Sequence, residues 1–130
     1  MIGYQNKRVL LVDDQRTVTS LLTALLRQLG FEVVVAHDGD EAMRKLDAEA
    51  FDLLLCDIKM APTNGIVLTK RLRASEEHQS LTVILMTGDR NPGLVVAAKR
   101  VGANDVLAKP FTPAMLRERL DRLPAFRRAA

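Results

Sequence analysis

The chain has one cysteine, no tryptophan, one tyrosine and two histidines among its 130 residues. The lone Cys56 rules out an internal disulfide framework and a multi-cysteine metal site, and it fits a reduced, cytoplasmic setting. No apolar run approaches the ~18–20 residues that cross a bilayer, and the leading MIGYQNKR has no apolar signal segment, so no membrane insertion is expected. No G-x-G-x-x-G follows the first apolar run and no Walker loop is present, which removes the usual nucleotide-binding signatures. Aromatics make up 4% of the chain. Neither aromatic interleaving nor helix-turn-helix spacing accompanies the basic residues, so direct DNA binding is not expected.

Charge is modest, at +3 with a pI near 9.4. From Lys109 onward there are six basic residues (Lys109, Arg117, Arg119, Arg122, Arg127 and Arg128) against two acidic ones, Glu118 and Asp121. The simple reading is a solvated basic helix face; the alternative is a surface for an acidic partner protein.

A hydrophobic fraction of 48% is ample for a core and excludes a disordered chain. It is distributed in two rhythms. Short continuous apolar runs occur at Val9–Val12, Val33–Val35, Leu53–Cys56, Val83–Met86 and Val106–Ala108, as expected for strands buried on both faces of a parallel sheet. Between them lie helical stripes. Val18, Leu21, Leu22, Leu25, Leu26 and Leu29 draw one, ending at Gly30. Ala42, Met43 and Leu46 make a second, with Asp38 as N-cap. Ile66, Val67, Leu68 and Leu72 form a third. Leu94 to Val101, opened by Pro92 and closed by Gly102, is a fourth. Thr112 and Pro113 mark the N-cap and first turn of a fifth carrying Met115, Leu116 and Leu120. Strand and helix alternate five times with no linker or repeat, which predicts one α/β domain over residues 1–130 with helices on both sides of a parallel sheet.

Ligands of open parallel sheets bind beyond the carboxyl ends of the strands. The first strand ends in Asp13-Asp14, the third in Asp57, the fourth in Thr87 and the fifth in Lys109. Each has a bland explanation alone: an Asp pair is often a helix N-cap, Lys-Pro a turn. Together they put carboxylates, a hydroxyl and an ammonium on one edge. Crowded carboxylates need a counter-charge. Mg²⁺ suits them, because it takes one or two carboxylates and keeps waters that phosphate oxygens can replace. Zinc and copper are disfavoured, since neither His37 nor His78 is expected on this edge. Asp57, ending the central strand of the inferred order 2-1-3-4-5, is the candidate nucleophile toward phosphorus. Asp14 is the leading metal ligand, with Asp13 assisting and the Lys59 main-chain carbonyl a further candidate. Lys109 and Thr87 would serve the transferring oxygens.

The residues LLVDDQ at 10–15, LLLCDIKM at 53–60, Gly65, ILMTGD at 84–89 and GANDVLAKPF at 102–111 resemble the receiver domain of bacterial response regulators, in its chemotaxis-type single-domain form. The resemblance implies a flavodoxin-like (βα)5 fold and Mg²⁺-dependent phosphorylation of Asp57 by a histidine kinase or histidine phosphotransfer protein. It also implies a cis Lys109-Pro110 bond, and output to a downstream protein through the fourth helix, fifth strand and fifth helix. The same surface could support a homodimer. On this reading the chain accepts and slowly loses a phosphoryl group and is not a dedicated turnover enzyme.

Three departures stand out. Val106 occupies the place where the family commonly carries a switching Tyr or Phe. Ala61-Pro62 replaces the usual proline spacing after the aspartate, so that loop is expected to differ in shape. Lys59 and Asp89 occupy positions that tune dephosphorylation in the family, and they are expected to pair across the pocket. The rival readings are weaker. A phosphatase would carry a second aspartate where Lys59 stands, and a module that merely keeps the fold would have lost one of the acidic, Thr or Lys positions. A receiver fragment of a larger regulator with its own output domain is the remaining alternative.

Overall fold

Each apolar run becomes a strand of one parallel sheet, and each amphipathic stripe becomes a helix laid against it. The computed structural model describes residues 3–126. In chain order the elements are β1 (Arg8–Val12), α1 (Arg16–Gln28), β2 (Glu32–Ala36), α2 (Gly39–Ala48), β3 (Leu53–Asp57), α3 (Gly65–Arg73), β4 (Thr82–Thr87), α4 (Pro92–Arg100), β5 (Asp105–Ala108) and α5 (Pro113–Asp121), followed by a short 3-10 turn at Pro124–Phe126. The strand order is β2-β1-β3-β4-β5, the flavodoxin-like arrangement. All neighbours run parallel: Leu11 of β1, for instance, sits between Val35 of β2 and Leu55 of β3.

The sheet is covered on both sides, so alternate residues of one strand enter different cores. On β3, Leu54 and Cys56 pack with Ala42 and Leu46 of α2, Leu68 and Leu72 of α3 and Ala98 of α4. Leu53 and Leu55 point the other way, into a core with Leu22 and Leu26 of α1 and Leu116 and Leu120 of α5. Every residue of β3 and β4 is buried. Full burial of a Leu or Ile stabilises by about 1.5–3 kcal/mol relative to exposure, so these central strands are the most firmly anchored part of the chain.

Helix starts follow local chemistry. Asp38 accepts a hydrogen bond from Glu41 N at 2.7 Å, and Thr112 from Met115 N at 3.1 Å, as the sequence suggested. Asn64 and Asn91 do the same for α3 and α4. Gly30 closes α1 with φ of +107°, in the left-handed region that disfavours side chains. Gly65 is needed for another reason. A Cβ built there would stand 2.5 Å from the Asp57 carbonyl oxygen, so only glycine lets α3 begin this close to the end of β3.

The amino end of the sheet is bound by polar contacts. The guanidinium of Arg73 donates to the carbonyls of Gly102, His78 and Gln79 and to the side chain of Asn104. His78 lies here too, with Nε2 at 2.9 Å from Asp47 and 3.8 Å from Glu77.

Candidate functional site

The carboxyl ends of β1, β3, β4 and β5 meet at one edge because the order β1-β3-β4-β5 makes these strands consecutive neighbours. Ligand oxygens of Asp13, Asp14 and Asp57 all lie within 4.8 Å of one another. The three carboxylates differ in their surroundings. Asp13 is fully buried and already engaged: one oxygen accepts from Gln15 N at 3.0 Å, the other from Lys109 Nζ at 3.0 Å. Asp14 is exposed, and no protein group among the described residues bonds its carboxylate. Asp57 is buried at the end of the central strand, with Lys109 Nζ at 3.3 Å.

A single ammonium is thus shared by crowded carboxylates, and the titration of both partners follows. Burial pushes the Asp57 carboxyl above its ordinary value; the fields of Asp13 and Asp14 push the same way, and Lys109 only partly offsets them. For Lys109, burial is the largest single influence and would lower it. The hydrogen bond to Asp13 and the fields of Asp57 and Asp13 together outweigh that burial and hold the ammonium above its usual range. Lys109 is therefore a firm cation, while the carboxylate group as a whole remains short of positive charge. Cys56, behind Asp57, is kept as a neutral thiol by complete burial.

This donor set suits a hard divalent cation. All the side-chain donors are oxygen, the least engaged one is on the exposed Asp14, and one lysine for three carboxylates leaves two negative charges to be met. His37 corrects one expectation. It directly follows β2 and so does stand on the carboxyl edge, but its Nδ1 lies 3.7 Å from Glu41 and it does not join the aspartates. His78 is at the far end, as expected.

Beside Asp57 opens a cavity of about 630 Å³, walled by Thr87, Lys59, Asp89 and Lys109. Lys59 Nζ donates to Asp89 Oδ2 at 2.8 Å, the pairing across the pocket anticipated from the sequence. That bond, with another from Asn91 N, holds the Asp89 carboxyl below its usual range. Thr87 does not point its hydrogen bonds at Asp57: its hydroxyl accepts from Asp89 N at 3.0 Å and contacts the Asp89 carbonyl at 3.3 Å. Lys109-Pro110 is cis, and so is Ala61-Pro62 in the loop where a different shape was expected. Val106 is buried in the core beneath α3 and α4.

Two polar side chains of the cavity wall escaped the sequence reading, Gln15 and Arg90. Each directly follows a residue that was singled out, Asp14 and Asp89, and that adjacency was the available signal. Their direction depends on where α1 begins and how the β4–α4 loop turns, which periodicity does not report. On the basic face expected on α5, Arg119 bonds Asp105 at 2.8 Å, Arg122 bonds Glu118 at 2.6 Å, and Arg117 lies over the Tyr4 ring. Arg127 and Arg128 lie outside the described residues.

Comparison with known proteins follows the same lines. The pattern of the response regulator receiver domain matches residues 9–121. Chemotaxis protein CheY-3 of Vibrio cholerae is 37% identical over 120 residues, covering 92% of this chain and 92% of that protein. The transcriptional regulatory protein CpxR of Escherichia coli is 46% identical over 104 residues, 80% of this chain, but the chain spans only 43% of CpxR. Among solved structures, the receiver domain of the sensor histidine kinase PA1611 of Pseudomonas aeruginosa PAO1 superposes with a TM-score of 0.81 at 32% identity, over 89% of this chain and 95% of that one. That structure carries a magnesium ion coordinated in its active site cleft.

Proposed function

This chain belongs to the response regulator receiver domain family of two-component signalling, and from that premise we propose that it accepts a phosphoryl group on Asp57 from a phosphohistidine of a histidine kinase or histidine phosphotransfer protein. The observation that carries the proposal is the cluster of Asp13, Asp14 and Asp57 oxygens within 4.8 Å, with Lys109 as their shared cation. An Asp57 oxygen forms the bond to phosphorus as the P–N bond to the donor imidazole breaks, and the electron pair leaves on that nitrogen. Lys109 already stands 3.3 Å from Asp57, where its charge opposes the build-up of negative charge on the transferring oxygens. Thr87, released from Asp89, would give its hydroxyl to one of those oxygens.

Asp13, Asp14, Asp57 and the Lys59 carbonyl are the groups that would hold Mg²⁺, which when bound supplies the positive charge the aspartates lack and orients the phosphoryl oxygens. Asp13 keeps Lys109 in place from its buried position. The Lys59–Asp89 pair covers one side of the pocket mouth and restricts water, so it sets part of the phosphoryl lifetime. A phosphoryl group adds about −1.5 to −2 charge. Recruiting Thr87 to it breaks the two contacts between that hydroxyl and the Asp89 backbone, which alters the loop leading into α4. With Val106 in the place of an aromatic, the output through α4, β5 and α5 does not use a ring flip. The downstream partner binds that altered surface, whose exposed apolar points include Val96 and Met115.

Mass spectrometry after incubation with acetyl phosphate and Mg²⁺ tests the assignment. The wild type is expected to gain one phosphoryl unit and the Asp57→Asn variant none. Equal labelling of both would place the acceptor elsewhere.

A further inference from the structure

Lys59, Arg90 and Lys109 are the cations among the described residues lining the Asp57 pocket. Two of them are committed. Lys109 lies 3.0 Å from Asp13 and 3.3 Å from Asp57, and Lys59 lies 2.8 Å from Asp89. Arg90 is exposed, and its guanidinium has no hydrogen-bond or ion-pair partner among the described residues. Even its neighbour Asp89 turns its carboxylate to Lys59 and to Asn91 N rather than to Arg90. Across the pocket, the Gln15 side chain is also uncommitted among the described residues: Gln15 stands at the N-cap of α1 without making a side-chain capping bond.

We infer that Arg90 is a specificity-determining residue for the phosphodonor, whose free guanidinium at the pocket rim binds the phosphoryl oxygens of the incoming donor and favours small donors that arrive as dianions. The inference rests on Asp57 being the acceptor. A guanidinium is planar, always charged, and offers paired N–H donors that match phosphoryl oxygens, and it is less tightly hydrated than an ammonium. An unpaired cation at the rim also raises the local concentration of anions before contact. Lys59 cannot serve in this way while its charge is met by Asp89. Gln15 adds a neutral N–H donor from the facing side.

With an acyl phosphate the transfer is self-contained. The Asp57 oxygen–phosphorus bond forms, the bond from phosphorus to the acyl oxygen breaks, and the electron pair leaves on the carboxylate product. Arg90 acts before that step, through the encounter. Its contribution therefore depends on donor charge and on salt.

The test is a mass-spectrometric time course on the full chain with Mg²⁺ and subsaturating donor, comparing wild type, Arg90→Ala, Arg90→Lys and Asp57→Asn. Acetyl phosphate is one donor; phosphoramidate, which carries less negative charge at neutral pH, is the other. Arg90→Ala is expected to slow labelling by acetyl phosphate about two- to fivefold, the range for one exposed charge pair, with the same single-phosphoryl end point. The loss with phosphoramidate is expected to be smaller, Arg90→Lys to recover part of the rate, and the difference from wild type to shrink as salt rises. Equal rates for Arg90→Ala and wild type at low salt would overturn the inference. So would an equal loss with both donors, because that marks a general disturbance of the pocket. Labelling of Asp57→Asn, or no labelling of the wild type by either donor, would instead remove the acceptor reading and this inference with it.

Discussion

The two ends of the sheet solve the problem of polar groups in opposite ways. At the amino end, Arg73 is surrounded by acceptors: the carbonyls of Gly102, His78 and Gln79 and the side chain of Asn104, which also accepts from Val83 N at 2.8 Å. One cation ties the α3–β4 connection to the α4–β5 connection, and the arrangement is a stable end in itself. At the carboxyl end, three carboxylates compete for one ammonium, and the most central of them, Asp57, is both buried and pushed toward its neutral form. The contrast teaches where the chain spends stability on function. One end is saturated with partners; the other is short of positive charge, which is the condition that the proposed cation and phosphoryl transfer require.

The sharpest way to break the comparison is at the saturated end. Arg73→Ala removes donors from four acceptors and is expected to lower stability by about 2–3 kcal/mol in chemical denaturation, while the mutant that still folds keeps its ability to be labelled at Asp57. The opposite sign is expected at the deficient end. In metal-free protein, Asp57→Asn should raise stability by about 0.5–2 kcal/mol while abolishing labelling, because it relieves a crowded buried charge.

The same variant sharpens the argument through pH. The folded Asp57 carboxyl titrates above its unfolded value, so folding favours its protonated form. Its contribution is complete below the ordinary carboxylate range and is lost as pH rises through the folded value. Metal-free wild type should therefore lose stability across that window more steeply than Asp57→Asn. A steeper loss in the variant would mean that Asp57 is not the strained carboxylate. The smallest effect concerns the rim. Lys59→Ala and Asp89→Ala each open the pocket mouth and should speed dephosphorylation about two- to fivefold, as befits one exposed ion pair. Unchanged rates in both would separate that pair from the phosphoryl lifetime.

Much of this was legible in the residue order. Unbroken apolar runs such as Leu53–Cys56 announced strands buried on two faces, and β3 is buried throughout. Asp38, Thr112 and Gly30 marked helix boundaries through side-chain and backbone preferences that act locally. Asp13, Asp14, Asp57 and Lys109 could be placed on one edge because strand ends in a parallel sheet share a side. His37 was misplaced because β2 runs to Ala36 and carries the imidazole to the same edge. The partners of the α5 arginines were not legible because they are distant in sequence, Asp105 for Arg119 and Tyr4 for Arg117.

The sequence by itself determined which residues become strands and helices, their order, and the chemical kinds of group delivered to the carboxyl edge. These are consequences of periodicity, capping and the right-handed crossover, all of which operate along the chain or between successive elements. Only the tertiary structure decided how those groups share partners: that Lys109 is divided between Asp13 and Asp57, that Thr87 is held by Asp89, and that Arg90 has no partner among the described residues. The reason is physical. A charge is satisfied or left wanting by what stands within a few ångströms in space, and that proximity is created when the strands pair.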